Sequence, residues 1–280
     1  MGSNAVDTNA VSAVLGYQIT GGDFSTVTPN LPQKIRLLGE SNALNQAGLI
    51  QGAVIASLEE SRQTYGFGSP IYDAMRILNP AAGGGVGSIP IEVFPMAEDG
   101  AGVAQVKTVT FTGVATDSGL LKFLVNGRGN LDGQSYSFTI AKGDTSAEIR
   151  DKMVLAFAGV LGSPYIPTDN VTPEIVDLTT KWKGETAQFC NIQLEPGSAT
   201  YGVSVVVAET TAGAGTPAHV ASIDAFDESW ATIVVNCLDY TSTPILDALE
   251  AKNGKPSATT PTGNYASTVM RPFIVFTGSV

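Results

Sequence analysis

Apolar positions in this chain fall into two rhythms, and the rhythm changes partway along. Residues 34–39, Lys34-Ile-Arg-Leu-Leu-Gly, read as a strand closed by Gly39, and residues 53–56 as a second, short one. Ser57 and Glu60 then have the spacing of a capping box, which predicts a helix from about residue 58 to Tyr65. Ser69 and Pro70 predict the start of another helix, because proline is pre-shaped for the first helical position. Ile71, Ala74, Met75 and Leu78 fall on one face of it, and Asn79-Pro80 stops it. Residues 89–94 read as a following strand. The order β, β, α, α, β predicts an α/β unit.

From about residue 106 the period shortens to two. Residues 106–113 form a β-branched run, and residues 119–127 a strand ending in Asn126-Gly127, a strong hairpin-turn signal. Residues 136–140 alternate apolar with polar. A helix follows through about Ala158, opened within residues 144–148, with Ile149, Met153, Val154 and Phe157 on one face. Two more β segments are expected at 175–180 and 202–209. Residues 212–217 are a Gly- and Pro-containing linker. The α/β style then resumes with a helix at 218–226, a buried strand at 230–235, a helix at 244–250 and a last strand at 273–277. The expected fold is an α/β core domain, residues 31–102 and 213–280, interrupted by an inserted β-rich domain, residues 103–212. Residues 1–30 are polar, with only Tyr17, Ile19 and Phe24 as larger apolar anchors. Such a segment buries too little to order itself, so it reads as an extended N-terminal arm.

Charge adds to this picture. Only 15% of the 280 residues are charged, against about a quarter in ordinary soluble domains, while 43% are hydrophobic. Sparse charge suits a surface covered by other subunits. The net charge of −11 argues against nucleic acid and against binding to an anionic membrane. No apolar run approaches the ~20 residues of a membrane span. The start of the chain shows no basic-then-apolar pattern of a secretory signal. The two cysteines, Cys190 and Cys237, fit neither a metal set nor a disulfide scaffold, and point to a reducing compartment.

Candidate chemistry is thin. The single histidine, His219, has no nucleophile or ligand set beside it in the sequence. Residues 82–87 are glycine-rich but precede a strand and lack the Lys-Ser/Thr of a phosphate loop. Residues 127–133 read as a hairpin loop. Trp182 and Trp230 read as packing residues, and the acidic residues are scattered. No catalytic, metal or cofactor-binding residue is expected, and no enzyme activity.

The order of several motifs resembles the tail sheath proteins of Mu-like contractile-tailed bacteriophages. Leu31-Pro-Gln-Lys-Ile-Arg-Leu-Leu-Gly-Glu is similar to the family's first core strand. Tyr65-Gly-Phe-Gly-Ser-Pro-Ile-Tyr-Asp-Ala-Met-Arg is similar to its aromatic-Gly-x-Gly-Ser segment. Ile91-Glu-Val-Phe-Pro-Met resembles the strand that leads into the family's inserted domain. Thr110-Phe-Thr-Gly-Val-Ala-Thr, Ala141-Lys-Gly-Asp-Thr-Ser-Ala-Glu-Ile and Lys181-Trp-Lys-Gly-Glu resemble landmarks inside it, and Glu228-Ser-Trp-Ala-Thr-Ile-Val-Val resembles the return to the core. The resemblance spans about residues 17–280. It implies a structural subunit that polymerises as helically stacked rings and contracts to drive a tube through a host envelope. Implied partners are copies of itself, the tail tube protein, and baseplate and tail terminator proteins; the implied location is the virion tail, assembled in the host cytoplasm. Expected subunit contacts are the arm anchors Tyr17, Ile19 and Phe24 and the exposed terminal strand with Phe273 and Val275. Family members continue past the position of Val280, so a truncated polypeptide or a short variant is expected. A surface-layer or fibre subunit, or an α/β enzyme with a lid domain, are the alternative readings; a phage-derived bacteriocin or other injector is an alternative source.

Overall fold

A computed structural model describes residues 34–278 except Ser229, Tyr240 and Ser267. The arm and its anchors Tyr17, Ile19 and Phe24 lie outside the described residues.

The first strand, β1 (Ile35–Glu40), is buried at every position. A two-residue strand, β2 (Ala53–Val54), precedes α1 (Leu58–Tyr65). The Ser57 hydroxyl accepts the Glu60 N–H at 3.1 Å, as the capping pattern requires. The Glu60 carboxylate reaches one residue further back than expected and accepts the Ala56 N–H at 2.8 Å. Helix α2 (Pro70–Leu78) has Pro70 in its first turn and the Ser69 hydroxyl accepting from Tyr72 N–H at 3.1 Å; it buries Ile71, Tyr72 and Met75. Strand β3 (Ile91–Met96) follows, again wholly buried.

Next come β4 (Val106–Thr112), β5 (Gly119–Val125), β6 (Asn130–Leu131), β7 (Gln134–Ser135) and β8 (Ser137–Ile140). Asn126 and Gly127 both take positive φ, and Val125 and Arg128 exchange backbone hydrogen bonds of 2.9 Å across them. That is the tight hairpin turn the Asn-Gly pair predicts. Asp132-Gly133 repeats the arrangement between β6 and β7, so the expected loop at 127–133 holds a small hairpin of its own. Helix α3 (Ser146–Ala158) starts from a complete capping box, Thr145 with Glu148, and buries Ile149, Met153 and Phe157. The remaining strands here are β9 (Tyr165–Asp169), β10 (Ile175–Thr180), β11 (Ile192–Leu194) and β12 (Ser204–Thr211); β9 and β11 were not anticipated. The chain returns through α4 (Val220–Asp224), β13 (Ile233–Asp239), α5 (Thr243–Asn253) and β14 (Ile274–Gly278).

A five-stranded sheet has the order β14-β13-β1-β3-β2. Its first four strands are parallel, and β2 adds antiparallel to β3. Helices cover both faces, which explains why β1 and β3 are buried at every position and mostly apolar instead of alternating. On one face Leu37, Ile71, Met75 and Val93 pack together with α1 and α2. On the other, Leu38, Phe94, Ile223, Val234, Ile245 and Phe273 pack with α4 and α5. The guanidinium of Arg36 lies inside this second layer at 1% exposure, 4.7 Å from the Phe226 ring, donating to the Phe226 carbonyl at 2.7 Å.

Strands β4 to β12 pair only among themselves, in sheets ordered β12-β4-β10-β9 and β11-β5-β8 and the β6-β7 hairpin. Their core is aromatic: Phe123 stacks on Phe138 at 6.2 Å and meets Phe157 edge-on at 5.8 Å. The chain enters and leaves this block side by side. Val103 and Ala214 form an antiparallel bridge, as do Ala97 and Ala218. By its contacts the chain from Lys34 onward is nonetheless one compact unit. The fold is mixed α/β.

Candidate assembly surface and the junction behind it

Both cysteine thiols sit in settings that disfavour the reactive thiolate. Burial pushes the thiols of Cys190 and Cys237 up to about 12, away from the thiolate a nucleophile needs. His219 turns its Nδ1 to the Pro217 carbonyl, 3.1 Å away, just before α4. The glycine-rich loop at 82–87 connects α2 to β3 on the surface. Among the described residues, no three His, Cys, Asp or Glu side chains are grouped to hold a metal ion, and no helix is long and apolar enough to cross a membrane.

The sheet edge is different. Strand β14 is the outermost strand beside β13, and its second edge carries no partner among the described residues. Its alternation is offset from the expected one. Phe273 is only 3% exposed and joins the core with α5, and Val275 leans on the same cluster. The side chains turned outward are Ile274, 64% exposed, and Phe276, 57% exposed. A strand slips its faces with every residue, so reading the apolar run one position early exchanges core for surface. The strand itself has no charge and no proline, the usual devices that blunt a free edge.

Helix α2 lies over β1 and β13 but stops short of β14. A cavity of about 460 Å³ opens beside it. Asp73 and Ile77 of α2, Cys237 of β13 and Phe276 of β14 line it on one side, with Arg128 and Cys190 on the other. Both cysteines thus face one space, although the sequence places them far apart.

The junction between the sheet and the β4–β12 block is polar and close. Asp132, in the tight turn between β6 and β7, accepts from Tyr72 Oη at 2.9 Å and from Arg76 Nε at 3.0 Å, while Arg76 also holds Asp73 at 3.1 Å. Lys181 Nζ donates to the carbonyls of Leu161 at 2.7 Å and Phe67 at 3.2 Å; burial lowers its ammonium to about 8. Gly68, at φ +74°, faces the backbone of Ser163 so closely that a Cβ there would sit 2.3 Å from the Ser163 carbonyl oxygen.

At the carboxyl end of β1, Glu40 is 0% exposed. One of its oxygens, Oε2, accepts a short hydrogen bond from the Thr186 hydroxyl, which itself accepts from Trp182 Nε1 at 2.8 Å. Its other oxygen, Oε1, has no hydrogen-bond partner among the described residues. Burial raises its carboxyl from 4.5 to about 8; the Thr186 bond opposes this, and the carboxylates of Glu98 and Glu185 reinforce it. Glu185 in turn accepts a short bond from the Ser242 hydroxyl just ahead of α5. Sequence reasoning did not single out Glu40, Asp132 or Thr186. The Leu-Gly-Glu ending of the first strand contained Glu40, but nothing local says that its partner lies at Thr186.

No protein-family model matches the chain. The chain is 21% identical over 255 residues to the Mu-like prophage FluMu tail sheath protein of Haemophilus influenzae, a match covering 88% of this chain and 50% of that protein. The chain therefore spans about half the length of the curated relative it matches. The resemblance to Mu-like tail sheath proteins read from the sequence agrees with this match, which covers most of the chain. A solved structure, the sheath tail protein of Listeria innocua, is also similar, at 9% identity over 78% of this chain and 44% of that one. Its TM-score of 0.25 is too low to bear on the fold.

Proposed function

We propose that this chain is a structural part of a contractile tail sheath and not an enzyme. The observation that carries the reading is the match to a tail sheath protein across 88% of the chain. The setting of both thiols, whose burial disfavours the thiolate, supports it. So does the uncharged outer edge of β14, which has no partner among the described residues and suits main-chain pairing with a neighbour.

In this reading the subunits stack as rings around a tail tube and contract on a baseplate signal. They are assembled in the host cytoplasm and end in the virion tail. The β14 edge, with Ile274 and Phe276 outward, is a subunit contact, and residues 1–30 tether neighbours through Tyr17, Ile19 and Phe24. Flexible polar tethers hold subunits together while the bodies shift. Residues 103–212 form an inserted domain on the outer surface, with residues 31–102 and 213–280 as the α/β core domain between it and the tube.

The test is negative-stain electron microscopy of the purified protein at rising concentration, with an Ile274→Lys/Phe276→Lys variant beside it. Hollow tubes of uniform width from the parent, and dispersed folded protein from the variant, are expected. Dispersed parent protein at every concentration, in the full polypeptide, overturns the sheath reading. Tubes from the variant equal to those of the parent overturn the role of the β14 edge alone.

A further inference from the structure

We propose that Lys107, Asn191 and Glu209 form a self-modifying site. The Lys107 amine displaces ammonia from the Asn191 side chain and leaves an isopeptide bond between the two larger sheets of the β4–β12 block.

Placement carries the argument. Lys107 precedes Val109 and Phe111 on β4 at alternate positions, and both of those are 0% exposed, so Lys107 starts on the core face of its sheet. Its cross-strand neighbours are Leu178 of β10, also 0% exposed, and Glu209 of β12. Lysine is rarely turned to the inside of a sheet, yet this side chain is 13% exposed. Its Nζ ends 3.4 Å from Oδ1 of Asn191, which stands directly ahead of β11 in the other sheet, and 3.8 Å from Oε2 of Glu209.

Both partners are held where they are. The Asn191 N–H donates to Asn126 Oδ1 at 2.8 Å, and the Asn191 carbonyl accepts from the Asn126 N–H at 2.9 Å. Glu209 Oε2 accepts from Gln105 Nε2 at 2.7 Å. Gln105 is 0% exposed and is itself fixed: its Nε2 also donates to the Gln188 carbonyl at 2.9 Å, and its Oε1 accepts the Tyr165 hydroxyl at 3.1 Å. An amine, a carboxamide and a carboxylate therefore converge from three separate strands of chain. Holding reactants together in this way speeds an amide exchange that is very slow between free molecules.

The step balances with the groups present. Glu209 takes a proton from the Lys107 ammonium, and the free amine adds to Cγ of Asn191. The Cγ–Nδ2 bond breaks as the Nζ–Cγ bond forms. The attacking nitrogen gives up a proton, Nδ2 leaves with it as ammonia, and Glu209 returns the proton it took to solvent. No oxidant or co-reactant is consumed. The product joins positions 84 residues apart and ties β4 to the start of β11.

Intact-mass spectrometry of the full chain, freshly purified and after incubation at neutral pH, reads the reaction. The parent is expected to fall below its sequence mass by one ammonia, and a protease digest to yield a branched peptide joining Lys107 to Asn191. Lys107→Arg, and Glu209→Gln, which removes the base at nearly constant size, are expected to keep their full sequence masses. Circular dichroism checks that both variants are folded. A parent that stays at its sequence mass overturns the proposal. Ammonia loss that persists in Lys107→Arg overturns it too, and assigns the loss to ring closure at Asn126-Gly127 or Asn253-Gly254. Conversion of Glu209→Gln at the parent's rate overturns the role of Glu209 as the base.

Discussion

Gly68→Ala tests how the two halves of the described structure are pressed together. Two costs add at this position. An L residue at φ +74° is strained by about 1 kcal/mol. The new Cβ would also meet the Ser163 carbonyl oxygen at 2.3 Å, the Ser163 carbonyl carbon at 2.8 Å and the Gly162 oxygen at 2.9 Å. Those are backbone atoms that cannot rotate aside, so the α1–α2 connection must back away from the 162–163 segment by about an ångström, an overpacking cost of about 1–3 kcal/mol. Moving it also disturbs the Lys181 bond to Phe67, which spans the same seam. The expected loss is about 2–4 kcal/mol. Gly83→Ala is the control, since Gly83 has φ +86° but nothing within 4 Å of a Cβ, leaving only the backbone term of about 1 kcal/mol. Urea titration followed by circular dichroism gives both values under identical conditions. If Gly68→Ala costs no more than Gly83→Ala, the close approach at Ser163 is not a constraint and the reasoning fails.

Two further outcomes are expected. Thr145→Ala removes the hydroxyl half of the capping box on α3 and costs about 1 kcal/mol in the same titration, whereas Thr145→Ser costs much less; equal losses would point to packing of the methyl group instead. The second concerns pH. Glu40 holds its proton in the folded state up to about 8, while the unfolded chain releases it near 4.5, so this group's stabilisation is complete below 4.5 and is lost as pH rises through about 8. At ~1.4 kcal/mol per pH unit for one proton, the loss is capped at roughly 5 kcal/mol. Unfolding midpoints should fall from pH 5 to pH 8 in the parent and much less in Glu40→Gln, and parallel curves would falsify the assignment. Above pH 8 the lowered ammonium of Lys181 works in the opposite direction, so the comparison ends there.

Much of the architecture was legible because it rests on local physics. The caps at Ser57, Ser69 and Thr145 satisfy exposed amides of their own helices, and the Asn126-Gly127 turn needs only two residues that tolerate positive φ. The strand at 230–235 was read too early. Trp230 and Ala231 extend the apolar run ahead of it, but pairing with β1 begins at Ile233 and carries on through Asn236. The strand then continues to Asp239, a polar residue buried by its surroundings. Strand β9 went unseen because Pro167 interrupts it, which a sheet edge tolerates. Strand β11 has three residues, too few for a period. The offset at Phe273 and Val275 has the same origin as any register error: composition shows that a strand is apolar but not which face is covered. The junction was illegible for another reason. Glu40 and Thr186, or Tyr72 and Asp132, are brought together only by the completed fold.

The sheet order also sets a schedule for synthesis. Strand β1 sits between β3 and β13, and Ile35 pairs with Ile233. A ribosome adding about 5–20 residues per second leaves that side of β1 open for roughly 10–40 seconds. During that time the aromatic core around Phe123 has all its strands, β4 to β12, available to it. The waiting edge of β1, buried at every position in the finished fold, is until then a template for another nascent chain. The exposure time of that edge therefore scales with the time taken to translate residues 97–232, and soluble yield should rise when translation through them is made faster.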